Sequence, residues 1–339
     1  MKNKRIHIIL FILGLMLLVL FLAALSLGSY QIDFKTLVHI FSGQDTSDPI
    51  SSNILINFRL PRVLTAVLAG SALAVAGLQM QTVFQNPLAG PYVLGISAGA
   101  SLGVALLTMS GISIGAGIFG TTSMVVAAWL GSMGVLMLIF LVSSRVHDVL
   151  TILILGILFG SAISAVVSIL QYFSTATALK SFIIWSLGSL GNTSMEQLKV
   201  LGPVVLVGLV IAFMASKRLN VLLTGDKYAL SVGMNVNFLL LVVFLSTGLL
   251  AGSITAFCGP IGFIGVAVPH IVKIMMRTSN HFYLIPGTIL AGADIMLFSD
   301  ILSKLPGQQQ TLPINSVTAV VGIPVIIWII LKNKKLSHS

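Results

Sequence analysis

Ten long apolar segments constrain what this chain can fold into more than any other feature of its sequence. A helix needs about 20 mostly apolar residues to cross a bilayer, and runs of about that length recur between charged residues, Pro or clusters of Gly. They lie near residues 6–27, 60–82, 93–110, 121–143, 149–172, 197–216, 237–257, 262–277, 284–303 and 314–331. The runs are continuous rather than alternating, which favours helices over a membrane barrel. The sequence therefore predicts an all-α, polytopic integral membrane protein with ten transmembrane helices.

Composition supports a membrane environment. Hydrophobic residues make up 57% of the chain and charged residues 8%, which leaves too little polar surface for a water-soluble globule. The longest polar stretches, near 42–57 and 217–237, are too short to enclose a core of their own. Residues 1–339 are therefore predicted to form a single transmembrane domain.

The basic residues predict the orientation of the chain. If both termini are cytoplasmic, twelve of the 18 Lys and Arg residues lie inside and six outside, as the positive-inside rule expects. The inner set is Lys2, Lys4, Arg5, Arg145, Lys217, Arg218, Lys227, Lys273, Arg277, Lys332, Lys334 and Lys335, and the outer set is Lys35, Arg59, Arg62, Lys180, Lys199 and Lys304. The net charge of +10 then reflects membrane topology. A nucleic-acid partner is not expected.

Two segments near the N-terminus allow more than one interpretation. Residues 1–28 place three basic residues before an apolar run that ends in small residues, as a secretory signal does. The run of about 22 residues is long for a signal, which favours a retained first helix. The stretch from Ile32 to Phe41 is amphipathic, and it fits either a helix along the membrane surface or a plain connecting loop.

Several patterns argue against a disulfide, a metal site or a catalytic site in this chain. Cys258 is the only cysteine, so an internal disulfide and a multi-Cys metal site are excluded. The six His residues are scattered, and neither a metal nor another cofactor is expected. The sequence contains no G-x4-G-K-[ST] phosphate loop, so any ATP hydrolysis belongs to another subunit. Residues 95–99 match G-x-S-x-G, but Ser97 lies at a helix start, where small residues favour helix packing or a pore lining.

Three titratable residues fall within apolar segments. Asp294 and Asp300 each cost about 2.5–3.5 kcal/mol on insertion scales. Their spacing of six residues places them on different faces of one helix, which does not favour a shared ion site. Asp300 suits pairing with an interior polar group near the outer end. His270 is expected to be the only His inside the apolar body, with a structural role.

Two polar segments suggest contacts with partner proteins. Arg59 and Arg62 flank a Leu-Pro pair at the outer end of the second apolar run, where Pro fits the first helical turn. Both guanidinium groups are expected to reach water. On the inner side, residues 225–235 are typical of a short helix stopped by Gly233. Such a helix suits docking into a partner's cleft, and a plain loop is the alternative.

The sequence also contains an internal echo. Residues 60–70 read LP-x3-TAVLAG and residues 312–322 read LP-x4-TAVVG, while Gly-Pro occurs at 90–91 and at 259–260. An inverted repeat of two four-helix sets, as found in many transporters, would explain the echo. Chance similarity in Gly- and Ala-rich sequence would explain it equally well.

Six ordered motifs resemble the FecCD family, the iron-chelate and cobalamin permeases of ATP-binding cassette importers. The motifs are RLPR at 59–62, NPLAGPYVLGISAGA at 86–100, WSLGSL at 185–190, acid-x-x-Ala-x3-Gly at 226–233, GPIGFIGVAVPHI at 259–271 and LP at 312–313. The resemblance covers nearly the whole chain. It implies a type II importer permease in the inner (cytoplasmic) membrane, paired with a second copy or a close paralogue. Two cytoplasmic ATP-binding subunits and an external substrate-binding protein complete such a complex.

The same resemblance implies roles for particular residues. Arg59 and Arg62 match basic residues that meet acids on the binding protein. Lys304 stands where a relative has Arg, which keeps the charge but weakens bidentate contact. The element implied to dock into the ATPase consists of Asp226, Ala229 and Gly233.

The resemblance also implies a cytoplasmic gate. Asn86 and Leu88 match one constriction of the pathway. Leu150 and Thr151 fall at the second, where the cobalamin member of the family has a Thr-Ser pair, so the pair is more apolar here. Cys258 replaces the usual Ala before Gly-Pro, which is expected to change only the packing.

These features together predict the permease subunit of an ATP-driven importer that moves a ferric siderophore, haem or cobalamin by alternating access. The chain itself is not expected to be an enzyme. A pathway of Gly, Ala, Ser and aliphatic residues suits a large organic complex better than a bare ion. One alternative is an ion-coupled secondary transporter that uses Asp294 or Asp300. Another is an intramembrane hydrolase that uses Ser97.

Overall fold

The computed structural model describes residues 2–28, 30, 32–42, 49–109, 119–143, 149–304 and 311–336. Within these ranges the chain forms a bundle of helices. In chain order they are α1 (Lys2–Ser26), α2 (Phe34–Phe41), α3 (Pro49–Ile54), α4 (Leu60–Val83), α5 (Ile96–Met109), α6 (Phe119–Ser143), α7 (Val149–Tyr172), α8 (Ala176–Ser186), α9 (Met195–Met214), α10 (Ser216–Leu222), α11 (Asp226–Ser231), α12 (Val236–Thr247), α13 (Ser253–Cys258), α14 (Ile264–Met276), α15 (His281–Ser303) and α16 (Ile314–Leu336).

Every predicted span coincides with a helix or a helix pair. Seven segments are long and apolar enough to cross a membrane, and α5, α14 and the start of α16 are shorter apolar helices. A π-helical turn at Gly248–Gly252 joins α12 to α13 within one of the spans, and another at Leu55–Arg59 joins α3 to α4. The all-α polytopic fold predicted from the sequence is confirmed.

Some shorter helices were not predicted or were left open. The segment from Ile32 to Phe41, for which helix and loop were both open, contains α2. α8 was not predicted from the sequence, and its first turn is capped by the Thr175 hydroxyl, which accepts from the main-chain nitrogen of Ala178. These short helices join the long ones, and their packing depends on the spans around them.

α4 lies at the centre of the bundle, and most of its residues are buried. It packs against α14 and α15 through glycines that leave no room for a side chain. A Cβ atom on Gly70 would overlap the main-chain carbonyl of Gly292, and one on Gly77 would overlap that of Gly265. Such close helix packing between small residues is typical of membrane bundles.

Polar contacts fix the relative direction of α4 and α15. Arg62, at the start of α4, pairs with Asp300, near the end of α15. Thr82, at the end of α4, contacts His281, the first residue of α15. The two helices are therefore antiparallel. The bundle has an Arg62 end, where α4 begins, and an Asn86 end, where the turn after α4 lies.

The Gly-Pro pairs of the internal echo occupy similar places. Gly90-Pro91 lies between the long α4 and the shorter α5, and Gly259-Pro260 lies between the α12–α13 span and the shorter α14. The inverted repeat itself stays a prediction.

Candidate functional site

A three-residue ion cluster lies at the Arg62 end. The Asp300 carboxylate is 2.7 Å from Arg62 Nε and 2.6 Å from Lys304 Nζ. Arg62 also donates to Ser303 Oγ at 3.0 Å. Burial lowers the pKa of the Lys304 ammonium, and the Asp300 charge opposes that shift. The predicted pairing of Asp300 with a polar group is confirmed, and it leaves the cluster with one net positive charge.

Arg59 does not belong to this ion cluster. Its side chain is buried, with 7% of the residue exposed, so the expectation that both guanidinium groups reach water was wrong for this one. It donates to the main-chain oxygens of Leu25 at 2.7 Å and Ser26 at 2.8 Å, and also to that of Tyr30. These acceptors include carbonyls at the end of α1 that have no partner within the helix. Arg59 therefore caps α1, and its contact with a binding protein stays a prediction.

A groove of about 620 Å³ runs between α5, α7 and the 3₁₀ turn at Pro91–Leu94. It is lined by Tyr92, Val93, Gly95, Ser97, Ala98, Ser101, Gly156, Ile157, Gly160, Ser161 and Ser164. Ser161 and Ser164 donate to carbonyls of their own helix, so their oxygen atoms can still accept hydrogen bonds from an occupant. Among these residues there is no charged side chain, as the predicted pathway requires.

The lining of the groove argues against the hydrolase alternative. Ser97 lies in the first turn of α5, two residues after Gly95. A serine nucleophile needs an adjacent base, and no His, Asp or Glu is among the described lining residues. Ser97 fits the predicted packing or lining role.

The turn after α4 carries the first pair of predicted gate residues. Gln85 has a positive φ of 46°, and the Asn86 side-chain oxygen accepts from the main-chain nitrogen of Leu88 at 2.9 Å. This local bond holds the turn and leaves the Leu88 side chain exposed. The second pair, Leu150 and Thr151, lies in the first turn of α7. This helix packs against the 3₁₀ turn at Pro91–Leu94, which comes soon after Leu88 in the chain. The gate itself stays a prediction.

The predicted docking helix is α11, which begins at Asp226 and ends in a glycine cap. The main-chain nitrogen of Met234 donates to the Ala229 oxygen, and that of Gly233 donates to the Leu230 oxygen, each at 3.0 Å. This pair of bonds is a Schellman cap, which places the residue at Gly233 in the left-handed region. Gly233 has φ +78°, so the predicted end of the short helix at Gly233 is confirmed.

Gly233→Val should disturb this cap without unfolding the bundle. A β-branched residue in the left-handed region costs about 1–3 kcal/mol, while no atom lies within 4 Å of the position a Cβ would occupy. We expect normal membrane insertion and reduced binding of the ATPase subunit, measured by co-purification. Gly233→Asn, which tolerates positive φ better, is the matched control and should bind more ATPase than the Val variant. Equal binding by the wild type and the Val variant would contradict a role for the cap.

The titratable residues inside the bundle differ from expectation in one respect. His281 is completely buried, with 0% of the residue exposed, whereas His270 is half-buried. The expectation that His270 is the only His in the apolar body was therefore wrong. The sequence signals only that a helix starts here, because His281 follows Asn280, which caps α15 by accepting from the nitrogen of Phe282. Asp294 is buried, and none of the described residues donates a hydrogen bond to its carboxylate.

Comparisons with known proteins agree with this architecture. The model of the FecCD transport family matches residues 16–332. The hemin transport system permease protein HmuU of Yersinia pestis is 35% identical over 322 residues, covering 95% of this chain and 94% of that protein. The molybdate import system permease protein MolB of Haemophilus influenzae is 33% identical and covers 96% of each chain. A metal-chelate type ABC transporter solved in an inward-facing conformation matches with a TM-score of 0.84 and 31% identity, over 96% of this chain and 99% of that one.

Proposed function

The chain belongs to the FecCD transport family, and from this membership we propose that it imports an iron chelate by alternating access driven by partner ATPases. As a member of that family it is a membrane permease subunit of an ABC importer. The proposed cargo is haem or a ferric siderophore, with cobalamin as the alternative. The proposed location is the inner (cytoplasmic) membrane, with both termini cytoplasmic. The Asn86 end would then face the cytoplasm, and the Arg62 end the outside.

The exposed apolar surface of the docking segment, residues 225–235 around α11, carries this proposal. Tyr228, Leu230 and Val232 lie on or just after α11 with more than half of each residue exposed, at 55%, 61% and 54%. Ala229 of the same helix is buried and holds α11 against the bundle. Apolar side chains concentrated on a short capped helix outside the spans suit burial in a protein partner. We assign that partner as the ATP-binding subunit, one for each of two permease copies.

The groove supports the choice of substrate class. Its lining offers hydroxyl groups, an exposed main chain at glycines and apolar side chains, which can contact a large organic complex over a wide area. The described lining has no charged side chain to balance the charge of a bare cation or oxyanion. The relatives transport hemin in one case and molybdate in another, so sequence identity near one third does not separate the substrates. A second copy facing the groove would complete the pathway.

At the Arg62 end we propose that Arg62 and Lys304 bind acids on the external binding protein. Arg62 is the more accessible, with 18% of its side chain exposed. Because Asp300 already pairs with both cations, an acid on the partner would share them with Asp300. The contact should therefore respond to salt, since it is made at the surface by charges.

Arg62→Met should weaken the binding protein's affinity by about tenfold at low salt, equivalent to about 1.4 kcal/mol. The variant keeps most of the side-chain volume and leaves Lys304 paired with Asp300. The matched control is Lys199→Met, because Lys199 lies in an exposed pair with Glu196, and this change should leave the affinity unaltered. The measurement is titration of purified complex at low and high salt. A loss of the same size at both salt concentrations would argue against a charge contact.

The proposed gate is tested through Leu88, which is exposed at the Asn86 end. If the turn after α4 lines a constriction between two copies, Leu88→Cys in a Cys258→Ser background should crosslink between copies in one nucleotide state more than in another. Spin-label distances at the same position provide a second measurement if the cysteines do not meet. Identical distances with and without nucleotide would make the turn a plain connector.

Reconstituted transport tests the function as a whole. The permease, its ATPase and its binding protein are placed in proteoliposomes, and uptake of haem, a ferric siderophore and cobalamin is measured with ATP inside. We expect one of these to accumulate only with ATP, and uptake to persist when ion gradients are dissipated. Uptake that needs a gradient but no ATP would instead support the ion-coupled alternative. Accumulation of molybdate alone would overturn the proposed substrate class.

A further inference from the structure

A buried histidine joins three elements at the Asn86 end. His281, the first residue of α15, has Nε2 2.8 Å from the Thr82 hydroxyl on α4 and Nδ1 2.8 Å from the Asn220 side-chain oxygen on α10. The same oxygen accepts from the main-chain nitrogen of His281 at 2.8 Å. The Asn220 side-chain nitrogen donates to Asn280 Oδ1 at 2.8 Å. The imidazole is therefore held on both sides.

The donors and acceptors around the ring determine which of its nitrogens carries the proton. Because the Asn220 nitrogen is used by Asn280, an oxygen acceptor faces His281 Nδ1, and Nδ1 must carry the proton. In the neutral ring Nε2 then accepts from the Thr82 hydroxyl, whose single proton has a second acceptor within reach, the Leu78 main-chain oxygen at 2.9 Å. With both ring nitrogens engaged, the side chain cannot rotate without breaking two bonds inside the protein, where each lost partner is expensive. His281 thus links α10 to α4 through two hydrogen bonds.

One side of this link leads to the docking segment. α11 packs on α10, and Leu219 and Leu222 of α10 and Ala229 of α11 are buried. A partner that displaces α11 therefore also displaces α10, which carries Asn220.

The other side leads to the turn of the proposed gate. The main-chain nitrogens of Gln85 and Asn86 donate to the main-chain oxygens of Thr82 and Gln81, at 3.4 and 3.2 Å. The turn is thus built directly on the residue that His281 holds. The neighbouring Gln81 side chain bonds to α14, donating to the Val266 oxygen at 3.0 Å. Thr82 and Gln81 connect the same helix end to two different neighbours.

We propose that His281 is a positioning residue that transmits displacement of the ATPase-docking segment to the turn after α4, through Asn220 on one side and Thr82 on the other. The inference rests on the proposed function, because it assumes that an ATPase docks on α11 and that the turn gates a pathway. It assigns a role to a buried histidine that touches neither substrate nor nucleotide. Coupling between distant sites is carried by such contiguous hydrogen bonds and packed helices.

The test is the number of ATP molecules hydrolysed per substrate imported by the reconstituted complex. Thr82→Val removes the hydroxyl while keeping the shape, and His281→Asn keeps an amide near the Nδ1 position but cannot reach Thr82. We expect ATP hydrolysis near the wild-type rate in both variants, with ATP used per import raised about tenfold. The double variant should be no worse than His281→Asn alone, because both changes break one link. His281→Gln, which can reach Thr82, should partly restore coupling in comparison with His281→Asn.

Thr288→Val is the matched control. Thr288 lies on the same helix, is completely buried, and its hydroxyl has no hydrogen-bond partner among the described residues. Loss of this hydroxyl should leave the ratio of ATP hydrolysed to substrate imported unchanged. If the ratio also stays at the wild-type value in Thr82→Val and His281→Asn, or if hydrolysis and import fall together, His281 is only structural and the proposal fails. Failure of the proposed function is distinct, since the wild-type complex would then show no ATP-driven import.

Discussion

Gly77→Ala is expected to destabilise the permease severely, because a single methyl group at this position meets the main chain of another helix. Its Cβ would overlap the Gly265 carbonyl on α14, and a carbonyl cannot move aside as a flexible side chain can. Overpacking of a core costs about 1–3 kcal/mol, and more where the backbone must shift. We expect a large fall in the yield of folded protein and in its unfolding temperature in detergent. Gly70→Ala should behave similarly, through the overlap with Gly292 on α15.

Two other helical glycines provide the control for this prediction. Gly134 on α6 and Gly202 on α9 have no atom within 4 Å of the position a Cβ would occupy. Alanine is intrinsically better than glycine in a helix by about 1 kcal/mol, so Gly134→Ala and Gly202→Ala should leave the unfolding temperature unchanged or raise it. Equal losses at all four positions would show that close helix packing is not the cause.

The sequence predicted those parts of the molecule that depend on local rules. The spans follow from the length and continuity of apolar runs, since each helix satisfies its own backbone in lipid. The cap at Gly233 follows from the preference for glycine in the left-handed region. Both features are determined within a few neighbouring residues, so they can be inferred without knowing how the helices pack.

Features that depend on distant partners were not predictable in the same way. Arg59 and Arg62 look equivalent in the RLPR motif, yet Arg59 caps α1 while Arg62 reaches Asp300, 238 positions along the chain. One turn of helix separates Arg59, which is buried against the end of α1, from Arg62, whose side chain is 18% exposed in the ion cluster. His281 was overlooked for a similar reason, because its partners Thr82 and Asn220 come from two other elements. A pattern within one segment carries no information about which segments meet.

Asp300→Asn should destabilise the permease by about 3–5 kcal/mol, the usual consequence of removing one member of a buried ion pair. The Asp300 side chain is completely inaccessible, and those of Arg62 and Lys304 are only 18% and 11% exposed. The neutral amide would leave two positive charges close together without an acid. The measurement is the unfolding temperature of the purified protein. Adding Lys304→Met to Asp300→Asn removes one of the unpaired charges and should recover part of the loss.

Asp294→Asn on the same helix should have the opposite outcome, although both positions are equally buried. None of the described residues donates a hydrogen bond to the Asp294 carboxylate, so the amide removes a group that is expensive to ionise in an apolar interior and breaks no ion pair. We expect an unfolding temperature equal to or above that of the wild type, with ATP-driven import unchanged. The pair of variants therefore separates a structural acid from a functional one. If Asp294→Asn folds normally but import is lost, Asp294 takes part in transport, and the ion-coupled mechanism would have to replace the ATP-driven one.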